Sequence, residues 1–94
     1  MVQVLVRHKV KNYSNWKTVF DNFIDTRKSG GEKSWKIWHP DDDPNNLWML
    51  FEWDNINNAH SFFDRTDLKD TMNKAGVIEQ PDIFYLKEYD HGTV

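Results

Sequence analysis

The chain has 94 residues and no cysteine, which excludes disulfides, thiolate metal sites and a cysteine nucleophile and leaves room for one domain over residues 1–94. Five Trp and six Phe are too many for a disordered chain, and a net charge of −3 without a basic block disfavours a nucleic-acid partner. No apolar run approaches the roughly 20 residues that span a bilayer. The first residues enter a strand pattern without a signal-peptide layout, so no membrane partner and a cytoplasmic location are expected.

Residues 2–10 alternate, with Val2, Val4, Val6, His8 and Val10 opposed to Gln3, Leu5, Arg7 and Lys9. Four β-branched residues at period two predict a strand. Residues 14–28 read as a helix, because Trp16, Val19, Phe20, Phe23 and Ile24 form one apolar stripe. Ser14 is the expected N-cap, Arg27 and Lys28 suit the last turn, and Gly30-Gly31 should stop the helix.

Residues 33–39 alternate again, with Trp35, Ile37 and His39 opposed to Ser34, Lys36 and Trp38. Pro40 to Asn46 has turn composition. Residues 47–53 form a third strand whose near-continuous apolar run implies burial on both faces. Asp54 or Asn55 should cap a second helical region, with Ile56, Ala59, His60 and Phe63 on its inner stripe. Asp67 should recap it, Leu68, Met72 and Ala75 continue the stripe, and Gly76 ends it. A last strand is expected over residues 82–89, followed by a patternless, flexible tail at 91–94.

The order β-α-β-β-α-β predicts an α+β fold, the ferredoxin-like split βαβ arrangement. Right-handed crossovers place both helices on one face of a four-stranded antiparallel sheet. The first and third strands are expected at its centre, parallel to each other. Two helices cover only one sheet face, yet Trp48, Leu50, Phe84 and Leu86 fall on the other. Leaving them in water forgoes roughly 1.5–3 kcal/mol for each large side chain. A homodimer with sheets face to face is the expected closure; with inverted parity, Met49, Phe51 and Tyr85 would take the interface.

Val4-Leu5-Val6-Arg7-His8-Lys9-Val10, the series Tyr13, Trp16, Phe20, and Phe51-Glu52-Trp53-Asp54 leading to Ala59, Phe62 and Phe63 carry a resemblance. With Asp43-Pro44-Asn45 in the hairpin, the sequence resembles the dimeric α/β-barrel superfamily, and within it the antibiotic-biosynthesis-monooxygenase-like group. The resemblance implies a dimeric α/β barrel. It also implies cofactor-free oxygenation, cyclisation or isomerisation of an aromatic or polyketide-like molecule. Oxygenase members have a Glu-x-Trp segment where this chain has Glu52-Trp53. The first strand lacks the Asn of the haem-degrading members, so haem degradation is not implied.

With the first and third strands parallel, their C-terminal ends share one sheet edge with the helix starts. His8, Tyr13, Trp16, Trp35, Trp53, His60, Phe63 and Ile83 are then expected to converge on an aromatic-walled pocket, with Tyr85 on the same parity as Ile83. His60 is the first candidate for proton transfer and His8 the second. Tyr13, Trp16, Trp35, Trp53, Phe63 and Tyr85 are the candidate substrate-binding residues. Burial should keep either imidazole neutral. The competing reading makes these histidines core or rim residues of a binding or structural dimer. Asp41-Asp42-Asp43 lacks the ligand spacing of a calcium loop and reads as a solvated hairpin tip, so neither metal nor cofactor is expected.

Overall fold

The computed structural model covers residues 1–94. The elements run β1 (Val2–Lys9), α1 (Tyr13–Asn22), α2 (Ile24–Gly30), β2 (Glu32–Trp38), β3 (Asn46–Trp53), α3 (Ile56–Phe63), α4 (Thr66–Lys74) and β4 (Asp82–Leu86). One antiparallel sheet has the order β2-β3-β1-β4, the ferredoxin-like arrangement.

The central strands β1 and β3 are antiparallel, which corrects the expected parallel pair. The reason lies in the connections. A βαβ crossover makes β1 and β2 parallel, with one strand between them. The chain leaves β2 by a hairpin and inserts β3 into that gap, so β3 opposes both. The register therefore sets His8 opposite Leu47 and Val2 opposite Trp53. His8 and Trp53 lie at opposite ends of the sheet.

The first helical region begins one residue earlier than expected and breaks once. Asn12, not Ser14, is the N-cap; its backbone is extended and its Oδ1 accepts the Asn15 N–H at 3.0 Å. The break at Phe23 separates α1 from α2, and the Phe23 N–H is shared between the Val19 and Phe20 carbonyls. Gly31 ends α2 in the left-handed region at φ 116°. An added Cβ there would clash with the Asp54 carboxylate and the Trp53 indole. Gly31→Ala should destabilise the fold by about 1–3 kcal/mol, read as a lower denaturant midpoint.

In the second helical region Asn55 caps α3, its side chain accepting the Asn58 N–H at 2.8 Å. The expected recap at Asp67 shifts to Arg65, and Asp67 sits in the first turn of α4, paired with Arg65. Strand β4 stops at Leu86 rather than residue 89. Leu86 lies opposite Gln3, so on that register only Lys87 would still face β1, at Val2, and Tyr89 lies beyond the first residue of the chain.

The core lies between the sheet and the helices. Val2, Val4 and Val6 from β1 and Leu47, Met49, Phe51 and Trp53 from β3 point into it. Trp16, Phe20, Ala59, Phe62 and Leu68 descend from the helices. The other sheet face keeps Trp48, Phe84, Leu86 and Trp38 exposed. No helix is long and apolar enough to cross a membrane.

Candidate functional site

The alternation of β1 turns His8 to the same face as the core valines. The imidazole is buried at 2% exposure, and its Nδ1 has no hydrogen-bond partner. Burial lowers its pKa to about 4. His8 is therefore a neutral imidazole near pH 7.

A ladder of π contacts runs from this ring along the first helical region. His8 meets Trp16 edge-on at 5.8 Å between centroids, and Trp16 stacks on Phe20 at 4.8 Å. The guanidinium carbon of Arg27 lies 3.7 Å from the centre of the Phe20 ring. Arg27 is 4% exposed. Its Nε donates to both oxygens of Glu32, at 2.9 and 3.1 Å, and its Nη1 donates to the Phe20 carbonyl. Its Nη2 is buried without a partner. Glu32 is buried as well, and desolvation raises its pKa against the opposing pull of Arg27.

A cavity of about 70 Å³ lies between sheet and helices. His8 and Arg27 are its charged or titratable lining residues. Its other walls are apolar apart from Thr71, and they include Trp16, Phe20, Met49, Phe51, Phe63 and Met72. Val19, Thr71 and Met72 are half-buried along its helical side. The Thr71 hydroxyl donates to the Asp67 carbonyl, so a mainly apolar cleft with His8 and Arg27 as its other polar residues is suited to a small ligand of mixed character.

The structure brings three of the expected site residues, His8, Trp16 and Phe63, to this cavity. The other expected site residues lie outside it. Tyr13 is half-buried and tilted against Trp16, while Trp35 is partly exposed and edge-on to Phe20. Trp53 is fully buried at the far sheet end, where its Nε1–H donates to the Gly30 carbonyl at 2.8 Å. The expected convergence therefore splits between two sheet ends, because the central strands are antiparallel.

His60, expected to face inward, is exposed. Its ring lies tilted against half-buried Tyr85 of β4, with centroids 3.9 Å apart. The buried line of α3 runs through Ala59 and Phe62. One residue advances a helix by about 100°, so His60 falls on the flank of that line. Burial raises the Tyr85 pKa, with a smaller contribution from the Asp64 charge.

Sequence reasoning missed the role of Arg27 and Glu32. A signal was present: Trp16, Phe20, Phe23 and Arg27 follow one heptad-like stripe, so Arg27 continues the inward face. Glu32, five residues later across Gly30-Gly31, is the acid within reach of it.

No protein-family model matches the sequence, and no curated protein shows significant similarity to it. Solved structures do match. A structure from Bordetella bronchiseptica described as an antibiotic biosynthesis monooxygenase has a TM-score of 0.76 at 11% identity, covering 93% of this chain and 95% of its own. SnoaB, a cofactor-independent oxygenase from Streptomyces nogalater, has a TM-score of 0.68 at 12% identity and covers 93% of both chains. A similarly described monooxygenase from Caulobacter crescentus has a TM-score of 0.71 at 14% identity, covering 95% of this chain and 90% of its own. The chain thus has the ferredoxin-like fold of the antibiotic-biosynthesis-monooxygenase-like structures.

Proposed function

We propose that this protein is a cofactor-independent monooxygenase or proton-transfer enzyme acting on a small aromatic or polyketide-like molecule. The observation that carries the reading is His8: a buried, neutral imidazole with an unpartnered Nδ1 beside an aromatic-walled cavity. Such a group can take a proton from an activated methylene carbon adjoining a carbonyl or phenol. The resulting carbanion adds molecular oxygen, and the proton held by His8 completes a hydroperoxide. Loss of water then leaves a carbonyl at that carbon. Walls that exclude water keep the carbanion from being reprotonated by solvent. The chain's own residues supply the base and the enclosure, while oxygen is the oxidant.

Oxygen consumption with single- and fused-ring phenols and ketones tests this reading. His8→Gln should lower turnover at least about 100-fold, the usual contribution of a general base, with unchanged circular dichroism. Turnover unaffected by that change would remove His8 from the reaction. His60→Ala, on the exposed flank, separates the two imidazole candidates in the same assay.

A second reading is favoured by the cavity volume. At about 70 Å³ it is below the ~300 Å³ of an ordinary ligand pocket. A non-catalytic dimer with a filled core would bind none of these compounds and consume no oxygen.

The same proposal includes a homodimer in which two sheets face each other through Trp48, Leu50, Phe84 and Leu86. Trp48, Phe84 and Leu86 are exposed, and Leu50 is half-buried beside them. Covering them would gain roughly 1.5–3 kcal/mol for each large side chain. Light scattering should return twice the 11.3 kDa chain mass, and Phe84→Glu should return a single chain mass. A parent protein that scatters as one chain at micromolar concentration rejects the dimer. A cytoplasmic setting belongs to the same reading.

A further inference from the structure

We infer that the cavity is built for a ligand with an acidic oxygen, a carboxylate or a phenolate, which accepts a hydrogen bond from Nη2 of Arg27. The inference rests on the small-molecule reading above and names the class of ligand.

Arg27 lines the cavity, is 4% exposed, and offers five N–H donors, of which Glu32 and the Phe20 carbonyl engage Nε and Nη1. Nη2 is left without a protein acceptor. An unpaired buried donor on a cation costs more than a neutral one, so an anionic acceptor is the complement that relieves it. The guanidinium carbon lies 3.7 Å from the Phe20 ring centre, and this contact helps hold the side chain in place.

Glu32 decides how strongly an anion is held. It neutralises Arg27 in the empty protein, so the buried pair is charge-balanced without ligand. A bound carboxylate makes the site a cation with two anions. Glu32, already pushed toward its neutral form by burial, is the group that can yield its charge. His8 is a second polar residue of the same lining, and its Nδ1 is also buried without a partner. The ligand thus has one acidic group and one hydrogen-bonding group on an apolar body. The cavity is smaller than a void of about 150 Å³ that admits benzene. Entry of even one ring therefore displaces a side chain, and Met72, unbranched and half-buried, is the adaptable one among the walls.

The experiment compares benzoate and 4-nitrophenolate with the neutral isosteres benzamide and nitrobenzene. Calorimetry and ligand-observed NMR are the readouts. The full-length protein should bind the anions at least about tenfold more tightly than the isosteres, as expected for a charge-assisted hydrogen bond. Preference for benzoate alone assigns a carboxylate; preference for the phenolate alone assigns a phenol or enol. Arg27→Met with Glu32→Leu, which removes the pair together, should abolish the preference while leaving benzamide binding within about threefold. Glu32→Gln should tighten benzoate binding and make benzoate raise the melting temperature more than in the parent. Equal binding of anions and isosteres overturns the inference and leaves the small-molecule pocket standing. Anion preference that survives in the double variant overturns it too, since the charge would then lie elsewhere. Binding of no probe by calorimetry or NMR, at millimolar concentration, overturns the inference and the pocket reading together.

Discussion

Arg27→Met should destabilise the protein by about 3–5 kcal/mol near pH 7, whereas Arg27→Met combined with Glu32→Leu should restore most of that loss. The single change leaves a carboxylate at 8% exposure without its cation. The pair itself need not be strongly stabilising. Burial already outweighs Arg27 in setting the Glu32 pKa, which is raised rather than lowered. Removing the guanidinium takes away the lowering influence and raises that pKa further. A carboxyl whose folded pKa exceeds its unfolded value binds protons preferentially in the folded state. The deficit of the single variant should therefore shrink as pH falls through the folded pKa toward the unfolded 4.5. Urea unfolding of parent, single and double variants at two pH values measures all of this. A single variant as stable as the double at neutral pH would show that Glu32 is not charged in the fold.

The second large effect is loss of stability in mild acid caused by His8. Its pKa is about 4 in the folded protein and 6.5 as the ordinary value. Above pH 6.5 the imidazole is neutral in both states and contributes no pH dependence. Between 6.5 and about 4 the unfolded chain takes up the proton and the folded protein does not. Stability falls through that window and levels off below it, by about 3 kcal/mol in total. His8→Leu keeps the volume and removes the titration, so its stability should hold in that window relative to the parent. Glu32 is present in both proteins, so the difference between their pH profiles isolates His8. Parallel profiles for parent and variant would mean that His8 titrates in the folded protein as it does in water.

Hydropathy periodicity alone was enough to order the elements. Alternating valines identified β1, the Trp16–Phe20 stripe identified the first helix, and Gly31 and Gly76 ended helices through left-handed conformations. Periodicity also sorted the strand residues into two faces but left open which was outer; the structure exposes Trp48, Phe84 and Leu86 and buries Met49 and Phe51. Periodicity shows which way a side chain points within its own element, because the pleat repeats every two residues and the helix every 3.6.

Which ends of different strands meet is a property of the whole sheet. The antiparallel pairing of β1 with β3 follows from inserting a hairpin strand into a crossover, and it moved Trp53 away from His8. The packing of α3 on the sheet buries Ala59 and Phe62 and leaves His60 on the flank against Tyr85. The buried Arg27–Glu32 pair was legible only in part. The stripe pointed Arg27 inward, but its burial required Glu32 to return from β2 across Gly30-Gly31 and neutralise it. A charge can be buried only where another element supplies its counterion. That condition joins residues from separate elements, so it was met by the tertiary structure and not by the local pattern of either segment.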